Sequence, residues 1–124
     1  MNLHDYFEQA EGVGVLGTAD ADGQVDLAVY ARPHVMPDGT VAFIMSDRLS
    51  HRNVEANPSA AYLFVEKGPG YKGQRLHLTR LREETDPQHI EALRRQERKT
   101  RAHESAQKFL VVFRVDKVRP LTGD

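Results

Sequence analysis

Apolar positions fall into short runs separated by turn signals, and the runs alternate between helical and strand spacing. Leu3, Tyr6, Phe7 and Ala10 are spaced as one face of a helix, and Gly12 ends it. GVGVLGTA (Gly12–Ala19) reads as a buried strand whose glycines imply close backbone approach. Asp22-Gly23 is a tight-turn signal, and Val25 to Arg32 is the returning strand of a hairpin. Pro33 to Gly39 reads as a loop, and VAFIMS (Val41–Ser46) as an apolar strand. A two-turn helix is predicted from Ser50 to Ala56, stopped by Asn57-Pro58.

AAYLFVE (Ala60–Glu66) and RLHLTRLRE (Arg75–Glu83) are predicted strands around the loop KGPGYKGQ (Lys67–Gln74). Asp86-Pro87 opens a helix to about Ala102, since aspartate caps and proline suits a first turn. FLVVFRV (Phe109–Val115) is the last predicted strand. Strands joined by short turns favour an antiparallel barrel over a parallel sheet.

Composition narrows the chemistry. The chain has 124 residues, so one domain spanning 1–124 is expected. Apolar content of 40% and charged content of 28% are ordinary for a globular protein. A net charge of −1 gives no overall pull toward nucleic acid or anionic lipid. Without cysteine there is no disulfide, thiolate metal site or cysteine nucleophile. The N-terminus does not read as a signal peptide, and no apolar run is long enough for a bilayer, so a cytoplasmic protein without membrane contact is expected.

Gly12, Gly14 and Gly17 match G-x-G-x-x-G, the dinucleotide fingerprint. That site needs a strand before the glycines and a helix after them. Here a helix precedes and a hairpin turn follows, so the match is rejected.

FIMSDRLSHRNVEANP (Phe43–Pro58) is more informative. An apolar strand delivers Ser46 to a helix whose first-turn N–H groups and positive dipole end suit an anion. Arg48, Ser50, His51, Arg52 and Asn53 offer further donors. The same spacing also fits an ordinary capped helix, with Asp47 or Ser50 as N-cap and both arginines solvated.

The six histidines show no metal-binding spacing, so no metal is expected. His77 shares a strand face with Arg75 and Thr79 and lies either in a cleft or at the surface. RRQERKTRA (Arg94–Ala102) is basic and reads as a solvated helix face paired with Glu91 and Glu97, or as an interaction surface at 94–101. Tyr71, among Gly68, Gly70 and Gly73, is placed to stack on a ring or to stand exposed.

These segments, in this order, resemble the pyridoxamine 5′-phosphate oxidase-like split barrels that bind FMN, especially the short single-domain members. GVGVLGTADADGQVDLAV is similar to that family's first hairpin. DGTVAFIMSDRLSHRNVEANPSAAYLF resembles its core of strand, connector, N-x-x-x-N-P and strand. GQRLHLTRLREETD resembles the strand and helix start that follow. The resemblance covers roughly residues 5 to 115. It implies a mainly β fold with peripheral helices, an antiparallel split β-barrel, forming a homodimer with FMN at the interface.

Carried over, Val29, Tyr30 and Ala31 line the flavin ring. Met45, Ser46, Asp47, Arg48, Ser50, His51 and Asn53 hold ribityl and phosphate groups, and Tyr71 approaches the partner's flavin. Where the family often carries a basic residue three positions before the first asparagine, this chain has Ser50, which makes Arg48 the leading charge partner for the phosphate. The function implied is a redox-active flavoprotein, an electron carrier or FMN-dependent oxidoreductase. The chain ends in KVRPLTGD without the family's C-terminal arginine–histidine segment, so the reaction of true pyridoxamine phosphate oxidases is not expected. Alternatives are a deazaflavin (F420) or haem in the same fold, or a cofactor-free module using the basic helix.

Overall fold

The structure is a computed structural model that describes residues 2–94 and 107–123. Helix α1 (Leu3–Gln9) leads into strand β1 (Gly12–Ala19), which turns into β2 (Val25–Val29). A two-residue strand β3 (His34–Val35) and strand β4 (Val41–Ser46) precede helix α2 (Leu49–Ala56). Strands β5 (Ser59–Glu66) and β6 (Gly73–Glu84), helix α3 (Pro87–Leu93) and strand β7 (Lys108–Pro120) follow. The predicted elements are all present. The loop at 33–39 holds the additional β3, and the returning strand stops at Val29 rather than Arg32.

One antiparallel sheet runs in the order β2-β1-β5-β6-β7-β4-β3. Strand β7 joins its halves, with Ser46 opposite Lys108 on one side and Glu83 opposite Val111 on the other. Register shifts at His77/Leu78 and Arg80/Arg82 bend β6, as bulges do. The curved sheet encloses a core from β1, β4, β5, β6 and β7 that includes Leu16, Phe43, Met45, Tyr62, Leu78 and Phe113. Phe43 of β4 and Tyr62 of β5 pair their rings at 4.9 Å within this core, and Phe7 carries α1 onto it with its ring 5.6 Å from that of Phe64.

Alternation explains the second, smaller core. Val111 and Phe113 of β7 point inward, while Leu110 and Val112 pack with Ala42 and Ile90 of α3 on the outer face. Asp86 caps α3 by accepting from the Gln88 N–H, with Pro87 in the first turn, as predicted. The predicted continuation of α3 to Ala102 lies, beyond Arg94, outside the described residues. Arg32 closes α1 from another element, since its guanidinium donates to the carbonyls of Phe7 at 3.0 Å and Ala10 at 2.8 Å.

The glycine pattern in β1 is a packing feature. A Cβ on Gly14 would meet the Tyr62 hydroxyl at 1.8 Å. That empty space lets Tyr62 donate to the Tyr30 carbonyl at 3.0 Å. Gly23 has φ 84°, which the tight turn between β1 and β2 requires. No helix among the described residues is long and apolar enough to cross a membrane.

Candidate functional site

Four polar side chains are buried among the described residues: Thr18, Ser50, His51 and Asn53. Three belong to α2 and the fourth touches it, so the polar interior is concentrated at one place. Burying such groups is costly unless each finds a partner, and the partners can be traced.

Asn53 donates from Nδ2 to Thr18 Oγ1 at 3.0 Å. One turn later, Asn57 donates to the Asp20 carbonyl at 3.3 Å and accepts from the Ser59 N–H at 3.1 Å. The two asparagines of N-x-x-x-N-P therefore fasten α2 along the end of β1 and start β5.

His51 faces the other way. Its ring stacks on Phe109 at 3.9 Å and its side chain is only 3% exposed. Nε2 lies 2.8 Å from Glu83 Oε1, and Nδ1 lies 3.2 Å from Asp47 Oδ1 and 3.8 Å from Glu55 Oε1. Burial alone would lower its pKa, but the carboxylates of Glu83, Asp47 and Glu55 outweigh burial and raise it. For Glu83, burial pushes upward, yet the His51 ring and the Arg80 guanidinium at 3.2 Å hold the carboxyl below its usual range. His51, Glu55 and Glu83 offer ligand atoms within 4.8 Å of one another.

The N-terminus of α2 differs from both. Arg48 takes the N-cap position, and its side chain makes no capping bond. Neither Asp47 nor Ser50 is the cap. Ser50 instead meets the Tyr30 phenol, whose pKa burial raises, the Ser50 contact lowers in part and the Asp26 charge raises. Ser46 accepts a hydrogen bond from Lys108 Nζ at 2.7 Å. Lys108 thus brings a cation from β7 to the strand end that leads into α2. Arg48 is exposed, and Arg52 lies 3.9 Å from Asp47.

The end of β2 runs beside this helix start. Val25, Leu27 and Val29 are 79%, 71% and 75% exposed on an edge strand. Tyr30 has its N–H bonded to the Gly14 carbonyl at 3.0 Å and its own carbonyl taken by Tyr62. Alternate residues of an edge strand turn their amides away from the sheet, so Val29 offers its own outward, and Ala31 lies beyond the end of β2.

The expected site residues therefore divide. Tyr30 meets Ser50 and sets its ring 5.9 Å from Phe43 of β4, Ser46, Arg48 and Ser50 follow one another into α2, and Val29 and Ala31 flank Tyr30 in the chain. Met45 is fully buried in the core, and Asn53 and His51 hold α2 in place. Tyr71 is 82% exposed on the β5–β6 turn, at the far end of β5 from α2. His77 is at the surface. Thr18, Glu83, Lys108 and Phe109 were missed because each reaches the site from a strand distant in sequence, and no local spacing marks them.

No protein-family model matches the chain, and no curated protein matches it in sequence. Solved structures do match over nearly the whole chain. An FMN-binding protein from Syntrophomonas wolfei superposes with a TM-score of 0.76 at 15% identity, covering 97% of this chain and 84% of that one. A putative pyridoxamine 5′-phosphate oxidase from Listeria innocua gives 0.67 at 19% identity, covering 97% and 98%. A haem-binding protein from Mycobacterium smegmatis gives 0.68 at 20% identity, covering 95% of this chain and 52% of that one. The chain has the pyridoxamine 5′-phosphate oxidase-like split-barrel fold.

Proposed function

We propose that this protein is an FMN-binding flavoprotein that works as a homodimer, in electron transfer or as an FMN-dependent oxidoreductase. The observation that carries the reading is the contact between Tyr30 and Ser50, which sets the exposed apolar end of β2 beside the uncapped start of α2. FMN needs that pair of surfaces, an apolar slot for the ring and N–H donors with positive charge for the phosphate.

The residues present fit the group. The first-turn N–H groups of α2, the exposed Arg48 and Lys108 beside Ser46 would hold the phosphate. Val29 and Ala31 would offer main-chain bonds to the ring. When bound, FMN supplies one- and two-electron transfer, and the protein's part is to hold and tune it. The apolar row of β2 supports closure of the ring slot by a second copy, since a water-exposed row of this kind marks an interaction face.

The haem-binding neighbour raises a second occupant. A haem needs an axial ligand, whereas His51 has both ring nitrogens against carboxylates and His77 lies at the surface. These placements favour the flavin. The absorption spectrum of the purified protein, with the mass of the ligand released on denaturation, tests the proposal. A yellow protein releasing FMN is expected. A colourless protein that takes up no added FMN overturns it.

A further inference from the structure

An ionised carboxylate can only accept a hydrogen bond, so a ring nitrogen that faces one must donate. His51 faces carboxylates with both of its nitrogens, Nε2 toward Glu83 at 2.8 Å and Nδ1 toward Asp47 at 3.2 Å. The imidazolium alone donates from both at once, and it leaves no lone pair for a metal ion. We infer that His51 is a pH-operated latch: as an imidazolium it ties α2 to β6 and β7, and loss of one proton at alkaline pH loosens the helix.

Groups from α2, β6 and β7 face the ring. Asp47 and Glu55 flank Nδ1 from α2 and its entry turn, at 3.2 and 3.8 Å, but both side chains are more than half exposed and water screens them. Glu83 of β6 is the closer and better buried partner. Phe109 of β7 lies flat against the ring, with 3.9 Å between centroids and 16° between planes, and an aromatic face favours a cation above it. Two guanidinium groups stand farther out, Arg80 at 3.2 Å from Glu83 and Arg52 at 3.9 Å from Asp47, while Lys108 beside Phe109 donates to Ser46. Three carboxylates against two guanidinium groups leave one negative charge, which the imidazolium balances. The neutral ring would set a lone pair against a carboxylate and replace a charge-assisted bond by a neutral one about half as strong.

The two partners limit the latch from opposite sides. Burial opposes the charge on His51, and the carboxylates outweigh it, so the contribution of His51 to stability is complete below the ordinary histidine value of about 6.5 and fades as pH rises through the raised value in the fold. Burial pushes the Glu83 carboxyl up, yet His51 and Arg80 hold it below its usual range. Its contribution is therefore complete above about pH 4.3 and fades as pH falls through the lowered value. The latch is tightest between those two ordinary values.

The latch adjoins the anion seat at the start of α2. Ser46, which leads into the helix, accepts from Lys108, the chain neighbour of the Phe109 that stacks on His51. Loosening α2 at alkaline pH therefore loosens the seat. That consequence rests on the flavin reading, whereas the latch itself does not.

The full chain is labelled with nitrogen-15, and its imidazole nitrogens are followed by NMR from about pH 6 to about pH 9. Both His51 nitrogens are expected to carry protons at the acid end, with one proton lost only above the ordinary histidine value. Urea denaturation over the same range reads the energetic side. Between the ordinary and the raised value, the folded-to-unfolded ratio of the parent should fall by up to about tenfold per pH unit relative to that of His51→Gln, which cannot titrate there. Glu83→Gln, whose amide oxygen still accepts from Nε2, should move the His51 titration toward acid, and it decides the matter if His51→Gln does not fold. A bare His51 nitrogen at about pH 6, an unmoved titration in Glu83→Gln, or equal pH slopes in the parent and His51→Gln overturns the latch. FMN affinity should fall about fivefold or more between about pH 7 and about pH 9 in the parent and stay level in His51→Gln. Equal loss in both overturns the coupling to the seat. Absence of FMN binding at either pH overturns the flavin reading, while the NMR and urea results still judge the latch.

Discussion

Strand β2 carries Val25, Leu27 and Val29 into solvent, while helix α2 draws Ser50, His51 and Asn53 inside. The two elements invert the usual distribution of polarity. In α2 the inversion is resolved within the chain, since Asn53 meets Thr18, His51 meets Glu83, and Ser50 meets Tyr30. In β2 nothing described in the chain covers the apolar row. Buried polar groups with partners specify how an element sits, whereas exposed apolar groups specify that something else must come.

That contrast can be broken experimentally, and the largest effects should lie in α2. His51→Ala removes the partner of a half-buried, charged Glu83 and of its Phe109 stack, so a loss of about 2–3 kcal/mol is expected in urea denaturation. Asn53→Ala strands the buried Thr18 hydroxyl and should cost about 1–3 kcal/mol by the same measurement. A loss below about 0.5 kcal/mol in both variants would mean that α2 is not held by these contacts.

For β2 the prediction concerns association rather than folding. Leu27→Lys with Val29→Lys should move the protein from dimer to monomer in sedimentation velocity. The unfolding free energy of that monomer should differ from that of the isolated parent chain by no more than about 0.5 kcal/mol, as for surface changes generally. A parent protein that is already monomeric at every concentration would remove the reason for the exposed row.

The smallest effect is the most local. Arg48→Ala should weaken FMN binding about tenfold, near 1.4 kcal/mol, and Lys108→Ala by a similar factor, whereas Arg52→Ala should change it less than threefold. The reverse order would move the phosphate away from the start of α2. Quenching of flavin fluorescence on titrating FMN with stripped protein reads all three.

Much of this architecture was legible from local pattern. Asn57-Pro58 marked the end of α2, Asp22-Gly23 the first hairpin, and Asp86-Pro87 the cap of α3, because each is chemistry between near neighbours. The rejected glycine fingerprint was legible for the same reason, and Gly14 proved to be where the Tyr62 hydroxyl passes. The wiring of α2 was not. His51 resembled a phosphate donor within its segment, and only the fold sets Glu83 and Phe109 against it, from strands that begin at Gly73 and Lys108. Lys108 reaches Ser46 across 62 positions, a distance no spacing rule covers.

Strand β7 has a consequence for how the molecule is made. It lies between β6 and β4, and of the described strands it is the last to leave the ribosome. Until it is synthesised, β4 and β6 each wait with an unpaired edge, and the apolar side chains of both cores have no wall to close against. Folding must therefore be late and non-local, which slows a chain and exposes it to aggregation. A chain released before residue 108 should need a chaperone or be degraded, and extension through Pro120 should rescue it.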